Sequence, residues 1–190
     1  GTSRGLDRWD GNRILSYPYI PFYSTSIPIS DITSITEDER NNLWLGTGSS
    51  NHLIRYNKET EQFKLIKLPS DSLYYHYTQV KYDHEGFLRV GCGDGLYRYY
   101  PDKDSLLFIQ IAELDYQKEK FDLGSIYIDT AGGVWVSDFY MHLYYLDRDK
   151  DLLLPQHSFD SVLMFNTAHA YKMSIDQEGH FWMLGSYAEI

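Results

Sequence analysis

The chain has 190 residues, 43% of them hydrophobic and 23% charged, with a formal net charge of −10. These values exclude a disordered or fibrous chain and leave bulk for one ordinary domain or for a piece of a repeat protein. With no run of Lys or Arg to offset the acidic balance, nucleic acid and membrane surfaces are not expected partners.

Taken in chain order, the first residues lack the apolar centre of a signal peptide, and no stretch reaches the roughly 18 to 20 apolar residues that span a bilayer. The chain opens instead on Leu6-Asp7-Arg8-Trp9-Asp10, a polar turn at Gly11-Asn12, and an apolar segment from Ile14 to Tyr17. A different phrase then begins at Ile35. It reads apolar-x-x-Asp-x-x-[Gly or Asn]-x-apolar-[Trp or Arg], and it occurs four times. Its aspartates, Asp38, Asp83, Asp129 and Asp176, are 45, 46 and 47 residues apart. Asn41, Gly86, Gly132 and Gly179 follow three residues later, and Trp44, Arg89, Trp135 and Trp182 six later. An Asp that can accept backbone N–H bonds, followed by a residue suited to positive φ, describes a tight β-hairpin turn. The eight turn residues are therefore structural, and the aspartates are not paired carboxylates of a hydrolase.

After each hairpin the opening phrase returns, as Leu53-Ile54-Arg55-Tyr56, Leu96-Tyr97-Arg98-Tyr99 and Leu143-Tyr144-Tyr145-Leu146. Each copy leads through a polar turn to one more apolar segment, so every period holds four short strands. Units of about 40 to 50 residues with four strands are propeller blades. The predicted fold is all-β, a partial β-propeller over 1–190 of four-stranded antiparallel blades: a half blade at 1–20, whole blades at 30–68, 77–111 and 123–154, and a half blade at 170–190. Gly1-Thr2 matches Gly46-Thr47 at a spacing of 45. Open strand edges then call for a partner: the other half blade, the remaining blades of a longer chain, or a second copy in a homodimer.

These phrases resemble the two-component regulator propeller repeat, most clearly in Ile32 to Asp38, Leu43-Trp44-Leu45-Gly46-Thr47 and Gly95-Leu96-Tyr97-Arg98-Tyr99. Gly5 to Gly11 is similar to the third strand of the same repeat. The resemblance implies the periplasmic sensor of a hybrid two-component histidine kinase from a glycan-degrading gut bacterium, with tandem seven-bladed propellers, an immunoglobulin-like domain, a membrane helix and cytoplasmic kinase, receiver and DNA-binding modules. It further implies that the segment detects an oligosaccharide and passes a conformational signal inward. The departures are Arg89 in place of Trp, Cys92 in place of Thr47, Ser137-Asp138 in place of the Gly-Thr pair, and a final Gly, Gly185, one place late.

No catalytic residue, cofactor or metal is expected. Asp147-Arg148-Asp149-Lys150-Asp151 opens like a calcium loop, but its sixth position is Leu152 and its twelfth Ser158, so it reads as a hairpin turn. The histidines lack metal-ligand spacing, and the single Cys92 can form no internal disulfide. Candidate ligand contacts lie where the repeats differ. Tyr74, Tyr75, His76 and Tyr77 fill one connection, and Asp138, Phe139, Tyr140, Met141 and His142 fill another. Aromatic faces there can stack on a pyranose while Asp and His bond its hydroxyls. Arg89 lies on a solvent-facing edge, forms an inter-blade ion pair with a carboxylate, or contacts a ligand. The connection from Pro155 to His169 is a candidate binding or dimerisation loop. Two rival functions stay open: a propeller lyase or glycosidase, and a structural dimerisation module.

Overall fold

The computed structural model describes residues 1–22, 25–28, 31–48, 52–69, 78–114, 121–140, 142–156 and 168–187. Tyr74, Tyr75, His76, Tyr77, Met141 and most of the Pro155 to His169 connection lie outside them. Among the described residues every regular element is a strand.

The strands fall into the expected antiparallel blades. The first pair is β1 (Leu6–Trp9) and β2 (Ile14–Tyr17). A hairpin of β3 (Tyr19–Phe22) and β4 (Thr25–Pro28) follows, which no repeat phrase announces. Pro21 and Pro28 suit a two-stranded ribbon, because Pro lacks the N–H that a central strand would donate. One complete blade is β5 (Ile32–Glu37), β6 (Asn42–Thr47), β7 (His52–Asn57) and β8 (Gln62–Lys67), paired in that order. The next is β9 (Gln79–Tyr82), β10 (Leu88–Cys92), β11 (Gly95–Tyr100) and β12 (Ser105–Ile111). The third is β13 (Leu123–Ile128), β14 (Val134–Asp138), β15 (Leu143–Asp147) and β16 (Leu152–Pro155). The last pair is β17 (Ala168–Ile175) and β18 (Phe181–Tyr187).

Two of these blades are joined at their rims. Gln110 and Ile111 of β12 pair in parallel with Leu152 and Leu153 of β16, and Ala112 N donates to Leu153 O at 2.8 Å. The edges of both outer strands are thereby covered over this stretch.

The apolar side chains lie between blades rather than inside any one of them. Leu6, Leu45 and Ile54 form the layer where β1–β2 meets β5–β8. Trp44, Leu53 and Leu68 meet Val80, Val90 and Tyr99 in the next layer. Leu96 and Ile109 meet Leu123, Val136 and Leu146 in the third. Central strands are therefore buried on both faces, as β10 is at all five positions. Alternation of apolar and polar residues is weak in this chain for that reason, since a strand covered on both sides has no solvent face to mark.

The inner strands β5, β9, β13 and β17 are held to one another by a repeated clip. Ser34 Oγ accepts from Val80 N at 2.9 Å, Gln79 Oε1 from Ile126 N at 3.1 Å, and Ser125 Oγ from Met173 N at 3.1 Å. Each acceptor sits one residue before the in-phase apolar position and satisfies the axis-side edge of the following blade.

Candidate ligand-binding site

The rigid frame of the site is the aspartate turn. Asn41, Gly86, Gly132 and Gly179 have φ of 59°, 83°, 90° and 87°, the region that Gly occupies freely and Asn tolerates. Asp38 Oδ1 accepts from Arg40 N and Asn42 N, both at 2.9 Å, and its Oδ2 from Trp44 Nε1 at 2.7 Å. Asp129 binds Trp135 Nε1 and Asp176 binds Trp182 Nε1, each at 2.8 Å. One carboxylate thus closes the turn and pins an indole six residues on.

The indole's hydrogen bond, ahead of the backbone N–H of His180, holds the Asp176 carboxyl down to about 2. An unfolded Asp titrates near 3.9. The contribution of this turn is therefore complete above about pH 4 and is lost as pH falls toward 2. In an acid titration the indole N–H resonance of Trp182 should shift with a midpoint near 2; a midpoint near 4 would show that the bond does not form.

Arg89 occupies the indole's place in the second copy. Its Nε donates to Asp83 Oδ2 at 2.7 Å, and the two side chains are 1% and 0% exposed. Its guanidinium also lies over the Phe87 ring and 3.8 Å from Glu85. The ion pair is made within one hairpin of one blade rather than between blades, and the enclosed side chain corrects the assignment of Arg89 as a ligand contact.

Asp138 repeats the same device at the opposite end of its sheet. Its Oδ1 accepts from His142 N at 2.8 Å, and its Oδ2 lies 2.7 Å from His142 Nδ1 and 3.3 Å from the Tyr144 hydroxyl, again six residues on. Burial pushes its carboxyl upward, against the hydrogen bond from His142. The carboxylate proposed for sugar hydroxyls is thus committed to its own loop, a second correction. Tyr140 and His142 remain open at that loop, and Tyr140 is 54% exposed. The strand ends that flank residues 70–77, Lys67 of β8 and Gln79 of β9, lie at this same end of the blades.

A cavity of about 750 Å³ opens between the inner strands. Thr33, Ser34, Gln79 and Ser125 supply hydroxyl and amide groups to its wall, and Ile35, Ile126 and Met173 supply apolar surface. Lys81 and Lys172 line it as well, both exposed, and Asp31 is the carboxylate of the described lining. Among the described residues no group of three His, Cys, Asp or Glu side chains could hold a metal ion. Burial pushes the Cys92 thiol far up, which makes it an inert packing group.

Sequence reasoning passed over a set of contacts between neighbouring blades. Arg8 pairs with Glu61 at 3.7 Å, Lys64 with Asp104 at 2.6 Å, and Arg98 with Asp151. Glu61, Asp104 and Asp151 all sit at positive φ in the turn between third and fourth strands. Arg8, Arg55 and Arg98 share one register of the third-strand phrase. The signal was in the alignment of the copies, since the bases and the acids recur in step.

Residues 26–49 match the family model described as Two component regulator propeller. The chain carries that repeat. Among solved structures, the extracellular domain ascribed to the hybrid two component system BT4673 from B. thetaiotaomicron is similar at a TM-score of 0.70 and 21% identity, over 98% of this chain and 24% of that one. The corresponding domain of BT3049 from the same organism is similar at 0.68 and 16% identity, over 97% and 23%. Virginiamycin B lyase from Staphylococcus aureus is similar at 0.56 and 10% identity, over 96% and 71%. At these identities the likeness is one of fold, and it makes the repeat-bearing chain part of a β-propeller. The chain spans about a quarter of the length of the two extracellular domains. No curated protein sequence matches it.

Proposed function

We propose that this chain is a non-catalytic, ligand-binding segment of the periplasmic sensor propeller of a hybrid two-component histidine kinase, and that its ligand is an oligosaccharide. The cavity between the inner strands carries this reading. Its volume lies within the roughly 300 to 1,000 Å³ of small-molecule sites, and it combines apolar surface with hydroxyl, amide and ammonium groups. Tyr140 and His142, at the loop between β14 and β15, present a ring face and an imidazole edge, a pairing suited to a pyranose. A hydrolase or lyase needs an acid and a base converging on the substrate. The described wall offers the single carboxylate of Asp31, which favours binding without turnover.

Titration calorimetry against a panel of neutral and acidic oligosaccharides tests the proposal. Saturable binding is expected, and Tyr140→Ala and His142→Ala should each weaken it by about tenfold, or about 1.4 kcal/mol. Absence of heat with every sugar, together with a concentration-dependent dimer, would replace this reading with the dimerisation module. New reducing ends released from any sugar would replace it with an enzyme.

A further inference from the structure

The wall of the inner-strand cavity is polar, but most of its polar groups are already engaged. Thr33 Oγ1 donates to Thr78 O at 2.5 Å. Ser34 and Ser125 accept from the next blade, and Gln79 both accepts from Ile126 N and donates to Gly124 O at 2.6 Å. The charged side chains of the lining are the exposed carboxylate of Asp31 and the exposed ammonium groups of Lys81 and Lys172, and the two lysines have no ion-pair partner among the described residues. Both belong to a chain with a net charge of −10, where an unpaired cation has many carboxylates to choose from.

The repeat register makes Lys172 more unusual still. It occupies the position of Ser34, Gln79 and Ser125, the acceptors that clip one inner strand to the next. An ammonium group has three donors and no acceptor, so Lys172 cannot form that clip. The fourth copy therefore gives up a structural hydrogen bond at this position and places a positive charge on the cavity wall. Lys81 likewise places a positive charge on the wall, where the other copies carry the hydroxyl residues Thr36, Tyr127 and Ser174.

We propose that Lys81 and Lys172 select an anionic sugar, so that the ligand class of the cavity is an oligosaccharide bearing carboxylate or sulfate groups. This inference rests on the oligosaccharide-sensor reading above and narrows it. Two donors on β9 and β17, inner strands with β13 between them, grip separate negative groups on a glycan through charge-assisted hydrogen bonds. A neutral glycan would leave both ammonium groups unmatched.

The test uses the whole chain and its Lys81→Gln/Lys172→Gln double variant, titrated with a four-sugar galacturonate, a sulfated disaccharide and a neutral four-sugar galactan. The first two arms tell carboxylate from sulfate as the source of charge. The wild-type chain should bind one anionic probe at least about tenfold more tightly than the neutral one. The double variant should lose about tenfold or more for that probe and keep its affinity for the neutral sugar. Raising the salt from about 0.05 to 0.5 M should weaken only the anionic interaction, several-fold. Because both lysines are exposed, the variant's unfolding midpoint should match the parent's, which separates lost binding from lost fold. Equal affinity for neutral and anionic probes, or an anionic affinity that the double substitution leaves unchanged, overturns the inference and leaves the sensor reading standing. Failure of every sugar to bind overturns both.

Discussion

Asp83→Ala is expected to destabilise the chain by about 3–5 kcal/mol, the usual cost of removing one member of a buried ion pair. The Arg89 side chain is 1% exposed, and its Nε is held 2.7 Å from Asp83 Oδ2. Glu85, at 3.8 Å and 40% exposed, is too far and too wet to take over. The substitution would also strip the turn of its acceptor for Glu85 N and Phe87 N. Arg89→Ala should cost a similar amount by leaving the carboxylate alone in an enclosed site. Arg89→Trp should cost less than Arg89→Ala, because the indole N–H can donate to the carboxylate that Arg89→Ala leaves without a donor. Three other copies already pair this aspartate with an indole N–H at 2.7 to 2.8 Å. The guanidinium, moreover, leaves its Nη1 buried and without a partner among the described residues. Urea unfolding curves for the three variants decide the matter. If Arg89→Trp proved as damaging as Arg89→Ala, the equivalence of the two side chains would be wrong.

Gly46→Ala should be the next most damaging change, by about 1–3 kcal/mol or more through overpacking. A Cβ at Gly46 would lie 2.0 Å from Thr78 O and 2.4 Å from Ser34 Oγ. The first is backbone and cannot swing aside. Thr78 O is moreover the acceptor for the Thr33 and Ser34 hydroxyls, at 2.5 and 3.2 Å, so displacing it loosens the seam between two blades. Gly48→Ala is the matched control. Its Cβ would meet Thr33 Cγ2 at 3.2 Å and Asp31 Cβ at 3.3 Å, contacts relieved by small side-chain shifts. The loss in thermal midpoint should be several degrees larger for position 46 than for position 48. Equal midpoints would mean that the close approach of the inner strand is not what requires Gly46. The in-phase Gly91 has the same role toward Leu123, whose Cδ atoms would lie 2.6 and 2.7 Å from an added Cβ.

These two results concern different ranges of contact, and the difference governs how much could be read without coordinates. The aspartate turn is written within seven residues. Asp38, Asn41 and Trp44 meet because a hairpin folds them together, so their spacing carries their geometry. Four copies in phase then imply four-stranded blades, since each hairpin leaves one apolar face that only the next copy can cover. Arg89 was visible as an exception to this rule, and its partner, the aspartate six residues earlier, was within the same local window.

The cavity was not legible in that way. Lys81 and Lys172 are ninety-one positions apart, and nothing local says that both line one wall. The blade contacts from Arg8 to Glu61 and from Arg98 to Asp151 likewise join residues 53 apart, across faces that meet only when blades stack. Asp138 shows the converse error. Its composition suggested a sugar contact, whereas the fold turns its carboxylate inward to His142 and Tyr144. By itself, then, the amino-acid order determined the turns, the strand count per period and the all-β class, because those follow from contacts a few residues long. Which charges stay free, which are enclosed, and which line a common wall was decided only by the stacking of the blades. Desolvation and pairing depend on neighbours that lie far away along the chain.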